Sequence, residues 1–265
     1  MSLSARLSCR EVGPAIIRCG RSAAAASLVS ALCSSAVFAQ QWYVAPSAVV
    51  PPTDWLVAID VSGTATSNST DFVYGAATFA LGGTLQQSGL RLRLEGLGGT
   101  YGFEQGPSNT TATGKQYEGG ALVGYQQVWN WGSLGAYIGA NARENTVPSA
   151  DSTNSALGTR VGFKAAADAY LLPAPATMIS AYGSYSTAYD AYYARLRAGY
   201  SFFGFGYLGP EVAVLGDDYY QETRVGAHLT AMQLGAVQVG VSGGYVWERA
   251  YKDGYYGALE LRTGF

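Results

Sequence analysis

The sequence predicts an all-β protein, a single antiparallel up-and-down transmembrane β-barrel of about twelve strands. Three observations lead to this fold class: an N-terminal export signal, short segments of alternating polarity, and connections that alternate between short and long. The chain lacks a run of about 18 apolar residues, so helical membrane spans are not expected. A β-sandwich is the main soluble alternative, but its strands would be shorter, at about five or six residues.

The first 39 residues have the organisation of a secretory signal peptide. Four arginines precede an apolar run at 23–38, and a small-x-small sequence predicts cleavage near Ala39. Residues 40–54 are then expected to form an N-terminal periplasmic segment, and 55–265 the barrel. All three cysteines precede the cleavage site, so the exported chain has no thiol for a disulfide or a metal.

Composition agrees with a barrel in lipid. The chain has 20 Tyr and 35 Gly, and only 13% of its residues are charged. Because basic residues do not cluster, a nucleic-acid partner is not expected. No cofactor motif is evident; Asp217 and Asp218 predict a solvated acidic loop, with weak calcium binding as the alternative.

Alternation is clearest at 191–203, where one parity is apolar and the other carries Arg195 and Arg197. Side chains on a strand alternate between its two faces, so the apolar parity predicts a lipid-facing surface and the charged parity a lumen. The same analysis places the strands near 55–64, 71–82, 89–101, 116–129, 132–142, 157–171, 177–185, 191–203, 206–215, 221–232, 236–248 and 255–265.

The connections support this order. The two longest polar connections, 102–115 and 143–156, fall on the same side of the predicted barrel and are expected to face the cell exterior. The connections on the opposite side are short: 83–88, 130–131, 172–176, 204–205 and 233–235.

The last strand, 255–265, alternates in polarity and ends in Phe265. Outer-membrane barrels typically end in such a strand, which is generally thought to be read by the barrel assembly machinery. The sequence therefore predicts an outer-membrane protein that this machinery inserts.

The stretch 185–230 resembles the BcsS family of cellulose-biosynthesis proteins. The similar elements are Tyr192-Tyr193-Ala194-Arg195, Gly209-Pro210-Glu211, Leu215-Gly216, Arg224-Val225-Gly226 and the earlier segment 119–126 (GGALVGYQ). The resemblance extends over 71–265. It implies an outer-membrane accessory of cellulose or exopolysaccharide synthesis or secretion, with the cellulose synthase or export complex, or the polysaccharide, as partner.

Charged residues on the inward parity are the candidate functional residues. They form either a mixed-sign network that plugs the barrel or the lining of a narrow channel for anionic oligosaccharides. The set is Arg91, Arg93, Glu95, Arg160, Lys164, Arg195, Arg197, Glu211, Arg224 and His228.

A third hypothesis is an outer-membrane lipid-modifying enzyme, with His228 as base and Ser201 or Ser242 as nucleophile. His228 shares its parity with Arg224 and should point into the lumen, whereas such enzymes act on the lipid face. The sequence matches GxSxG at 240–244 (GVSGG), but this segment lies within a predicted strand, whereas a nucleophile elbow occupies a strand-to-helix turn, so no elbow is expected. The expectation is therefore a monomeric barrel in contact with outer-membrane lipid, without enzymatic activity or cofactor.

Overall fold

The computed structural model describes residues 54–105, 110–147, 157–202, 204–249 and 252–265, which form a closed antiparallel β-barrel of twelve strands. Each strand pairs with its neighbours in sequence, and β1 pairs with β12 to close the barrel. The fold class and strand number predicted from the sequence are confirmed. The strands are β1 (Val57–Thr66), β2 (Asp71–Ala80), β3 (Gly89–Gln105), β4 (Thr110–Trp129), β5 (Gly132–Thr146), β6 (Gly158–Leu171), β7 (Thr177–Ser186), β8 (Ala191–Tyr200), β9 (Tyr207–Gly216), β10 (Gln221–Leu234), β11 (Val237–Glu248) and β12 (Gly254–Gly264).

The predicted signal peptide at 1–39, and all but the last residue of the segment at 40–54, lie outside the described residues. Within the described ranges, no helix is long and apolar enough to cross a membrane.

The predicted loop at 102–115 is largely strand. β3 and β4 remain paired up to Gln105 and Thr110, whereas β2 pairs with β3 only as far as Thr100 and β5 pairs with β4 only from Lys115. The β3–β4 hairpin therefore projects beyond its neighbours. A strand above the lipid needs no apolar outward face, which explains why its polar residues were interpreted as a loop.

The two ends of the barrel differ. We call the end that carries the β3–β4 connection the loop end, and the end that carries the short β4–β5 connection the turn end. β5 also rises further at the loop end than predicted, to Thr146. The rest of the predicted loop, from 148 to 156, lies outside the described residues. The exterior orientation of the loop end stays a prediction.

The outward face of the wall is apolar at mid-height. Ile138, Val161 and Phe163 are 68%, 77% and 80% exposed. Aromatic side chains are exposed at the turn end, where Trp129 and Trp131 stack with ring centroids 5.3 Å apart. Further pairs lie at both ends: Tyr200 with Phe202 at the turn end, and Tyr245 with Trp247 and Tyr255 at the loop end.

The spacing of these aromatic bands can be read along β12. Tyr255 is exposed at its loop end and Phe265 directly follows its turn end. Ten residue steps of about 3.3 Å give about 33 Å along a strand. A strand tilted by about 40° then spans about 25 Å of barrel height, which is the height of the apolar band of outer-membrane barrels.

Close contact between β4 and β5 requires glycine at position 139. An added Cβ would overlap the carbonyl oxygen of Ala121 and lie 2.6 Å from the Leu122 Cα. We expect Gly139→Ala to lower the free energy of unfolding by about 1–3 kcal/mol, because the two strands must separate. Urea unfolding of the barrel in lipid vesicles measures this. Gly119→Ala on β4 is the matched control, since nothing lies within 4 Å of its Cβ position; equal losses would contradict the prediction.

Candidate lumenal site

The barrel interior holds a cavity of about 1320 Å³ that is lined by residues from all twelve strands. Its lining includes Asn130 and Gly235 in connections at the turn end, and Asp217 and Tyr220 in the β9–β10 connection at the loop end. The described side chains therefore do not fill the lumen, and the cavity extends between the two ends of the barrel.

The candidate residues selected by parity lie on the inward side of their strands. Arg91, Glu95, Arg197, Glu211, Arg224 and His228 are buried, and the side chains of Arg93, Lys164 and Arg195 are less than a third exposed. Arg160 lies at the rim of the loop end, where its side chain is 52% exposed.

One group of charges, which we call the β8 cluster, consists of Arg195, Arg197, Glu211 and Glu260. Arg197 pairs with Glu211 on the neighbouring β9 and, at 2.7 Å, with Glu260 on β12. Arg195 also pairs with Glu260. β8 and β12 are four strands apart in the barrel order, so these ion pairs cross the lumen.

Hydrogen bonds complete the β8 cluster. The Tyr256 hydroxyl donates to Glu211 Oε1 at 2.8 Å, and Arg197 Nη2 donates to Ser242 Oγ at 3.4 Å. The side chains of Arg197 and Glu211 are only 4% and 3% exposed. Charges withdrawn this far from water are tolerated because each is paired and hydrogen-bonded.

A second group, the β3 cluster, consists of Arg93, Glu95, Glu118, Lys164 and Asp168. Lys164 on β6 pairs with Glu95 on β3 and, at 2.6 Å, with Glu118 on β4. Arg93 lies 3.5 Å from Glu95 and 3.8 Å from Asp168 on β6. Because β3 and β6 are not neighbours, this cluster also connects separate parts of the wall.

Aromatic side chains surround Arg93. Its guanidinium carbon lies 5.7 Å from the Tyr137 ring centroid and 5.2 Å from that of Tyr182, within the range of cation–π attraction. Arg93 Nη2 also donates to the Tyr74 hydroxyl at 2.9 Å. These contacts fix the guanidinium against the wall.

Arg91 points inward as predicted, but it lies outside both clusters. Its Nε donates to Gln126 Oε1 at 3.0 Å, and its Nη atoms donate to the carbonyls of Leu90, Thr84 and Gln87. Arg91 is fully buried. Through the hydrogen bonds to Thr84 and Gln87, Arg91 stabilises the β2–β3 connection at the turn end.

His228 is also enclosed. Its Nδ1 lies 3.1 Å from Thr230 Oγ1 and its Nε2 lies 3.1 Å from the Ala198 carbonyl oxygen. The two serines considered as nucleophiles have other described partners: Ser201 accepts from the Gly204 N–H and Ser242 accepts from Arg197. Both ring nitrogens of His228 are thus engaged by neighbours within the wall.

A further set of contacts surrounds Arg224 near the loop end. Arg224 pairs with Glu222, which also accepts the Tyr220 hydroxyl. The Arg224 guanidinium lies 5.4 Å from the Tyr256 ring centroid. Burial, reinforced by the negative charge of Glu222, raises the pKa of the Tyr220 phenol in the β9–β10 connection.

The acidic pair in the β9–β10 connection differs from expectation. Asp217 was predicted to be solvated, but its side chain is 6% exposed and pairs with Arg143 at 3.1 Å. Asp218 lies 3.8 Å from Arg160. The aspartates face cations on β5 and β6, and the described residues contain no group that could hold a metal ion.

Sequence reasoning missed several residues that the structure brings into the site. Arg143 and Asp217 were assigned to loops, and Glu118 and Glu222 were not singled out. The parity of β4 and β10 could have identified both glutamates. The pairing of Arg143 with Asp217 leaves no local signal, because it joins distant elements.

The clusters set the electrostatics of the cavity wall. The lumenal arginines are matched by carboxylates that reach them across the lumen. The wall around each cluster is therefore polar, rich in tyrosine and close to locally neutral, rather than strongly positive.

Comparisons with known proteins place this geometry in context. The family model described as cellulose biosynthesis protein BcsS matches residues 61–265. Among solved structures, a KdgM porin is similar, with 8% sequence identity and a TM-score of 0.41 over 78% of this chain and 99% of that one. The TodX deltaS2S3 mutant monoaromatic hydrocarbon channel is similar at 8% identity and a TM-score of 0.44, over 79% and 89% of the two chains. None of the curated proteins matches the chain.

Proposed function

Because the chain belongs to the BcsS family of cellulose biosynthesis proteins, we propose that it spans the outer membrane and passes a neutral glycan through its lumen. The observation that carries this proposal is the cavity of about 1320 Å³, which every strand lines and which reaches from one end of the barrel to the other.

The outward face supports membrane insertion. Its exposed apolar side chains lie between two aromatic bands about 25 Å apart, as in barrels that sit in an outer membrane. Lipid is then the partner of this face. Insertion would rely on the barrel assembly machinery and on the C-terminal strand, whose terminal residue Phe265 accepts backbone hydrogen bonds from Leu56 and Val57 to close the barrel.

The charge arrangement favours a neutral glycan over an anionic one. An acidic oligosaccharide would need cations free to bind it, but Arg195 and Arg197 are already engaged by Glu260. Hydroxyl groups of a neutral chain can exchange hydrogen bonds with polar side chains without separating these pairs. Tyrosine rings in the lining, such as Tyr182 and Tyr193, offer flat surfaces for sugar rings.

The other two hypotheses receive less support. A plug would use the same ion pairs, but the described side chains leave a cavity of about 1320 Å³ open between them. A lipid-modifying enzyme would need a reactive histidine on the lipid face, whereas His228 lies on the inward parity, is buried, and has a neighbour 3.1 Å from each ring nitrogen. We propose that the protein acts as a monomer without enzymatic activity, beside the cellulose synthase or export complex.

The test is to obstruct the lumen without touching the outer surface. Ser62 lines the cavity, and the next residue, Gly63, faces outward with nothing within 4 Å of its Cβ position. In a strain that lacks the gene, we expect wild-type protein and the Gly63→Trp variant to restore cellulose output. Ser62→Trp should restore much less at the same level of folded protein in the membrane. Full restoration by Ser62→Trp would refute a role for the lumen.

A further inference from the structure

The β9–β10 connection, residues 217–220, folds across the loop end instead of projecting away from it. Asp217 organises this turn, because its Oδ1 accepts the backbone N–H groups of Tyr219 and Tyr220, both at 2.9 Å. Its other oxygen, Oδ2, pairs with Arg143 Nη2 at 3.1 Å. Arg143 belongs to β5, four strands from β9, so this contact reaches over the lumen.

Three other contacts hold the connection in place, among them the ion pair at 3.8 Å between Asp218 and Arg160 on β6. The Asp218 N–H donates to the carbonyl oxygen of Tyr189 in the β7–β8 connection at 2.9 Å. The Tyr220 ring lies 6.3 Å from the ring of Tyr101, which belongs to the projecting part of the β3–β4 hairpin. The connection thus bridges three separate parts of the rim.

These contacts differ from those of the wall. Each strand is held by a continuous ladder to two neighbours, whereas the connection is anchored to distant strands by the buried Arg143–Asp217 pair and the more exposed Arg160–Asp218 pair. A short segment that depends on few tertiary contacts can separate locally while the rest of the fold persists. Its departure would open the cavity, because Asp217, Tyr219 and Tyr220 line it.

We propose that the β9–β10 connection is a gate over the lumen, held closed by the ion pair between Arg143 and Asp217. The gate rests on the proposed function only in assuming that the lumen is a passage. Closed, it would limit leakage through the barrel; open, it would admit or release a glycan chain.

The ion pair between Arg143 and Asp217 can be removed with little change in the shape of either side chain. Asp217→Asn keeps an oxygen for the turn and removes the charge, and Arg143→Gln removes the cation. Glu144→Gln is the matched control, since Glu144 is the next residue on β5 and is exposed on the outward side. In planar bilayers, we expect Asp217→Asn and Arg143→Gln to raise single-channel conductance severalfold, and Glu144→Gln to leave it unchanged.

A second measurement separates the gate from the passage. Spin labels at Asp218→Cys and Thr159→Cys report the distance between the connection and the end of β6. Asp217→Asn should lengthen and broaden this distance. If the wild type conducts ions and neither Asp217→Asn nor Arg143→Gln changes its conductance, the gate is refuted and the passage is retained. A longer distance without conductance in any variant would support the moving connection and refute the passage. An unchanged distance would overturn the gate.

Discussion

Replacement of Arg197 by methionine is expected to lower the free energy of unfolding of the barrel by about 3–5 kcal/mol. Methionine fills much of the space but leaves Glu211 and Glu260 without their shared cation. Glu211 is almost entirely buried, so water cannot replace the lost partner. Urea unfolding of the protein in lipid vesicles, followed by tryptophan fluorescence, measures the loss.

Arg262→Met is the matched control. Arg262 is also on an inward position of β12, but its side chain is 50% exposed and lies 3.6 Å from Asp60. An exposed pair of this kind contributes about 0–1 kcal/mol. The double variant Arg197→Met with Glu211→Gln should cost less than the sum of the single changes, because the two residues form one unit. Equal losses for Arg197→Met and Arg262→Met would indicate that the β8 cluster is hydrated.

Arginine at position 163 is expected to cost about 2–4 kcal/mol, the penalty for a cation near the midplane of a transmembrane barrel. Phe163 lies near the middle of β6 and is 80% exposed on the outward side. In water, a polar residue at such a position would be harmless. The reversible unfolding of Phe163→Arg in vesicles therefore tests whether this face contacts lipid.

The same substitution at the end of a strand provides the control. Tyr255 is exposed in the aromatic band of the loop end. Tyr255→Arg should cost only about 0–1 kcal/mol, because the penalty falls near the membrane interface. Equal and small effects at both positions would contradict a membrane around the barrel.

The fold could be predicted from the sequence because the residues of each strand alternate between an apolar outward face and a polar inward face. Alternation at 191–203 suffices to place Arg195 and Arg197 inward, and the structure has both there. Alternation failed where the solvent is the same on both sides, as in the projecting β3–β4 hairpin.

The partners of the inward charges could not be predicted in the same way. Strand register accounts for one pair, because it places Glu211 opposite Arg197 on the neighbouring strand. Arg195 instead reaches Glu260, on a strand that is remote in sequence. Such pairs depend on the curvature of the closed wall, which no local pattern encodes. Arg91 shows the converse, because parity placed it inward but could not reveal that backbone carbonyls enclose it.

The ion pairs that cross the lumen have a consequence for the order of folding. Arg195 and Arg197 can meet Glu260 only when β12, the last strand of the chain, has taken its place beside β1. These contacts stabilise the closed barrel and are absent while the strands still form an open sheet. Interactions formed after the transition state slow unfolding and leave the folding rate nearly unchanged. The β8 cluster is thus expected to act as a kinetic lock, which prolongs the life of the closed barrel more than it speeds its formation.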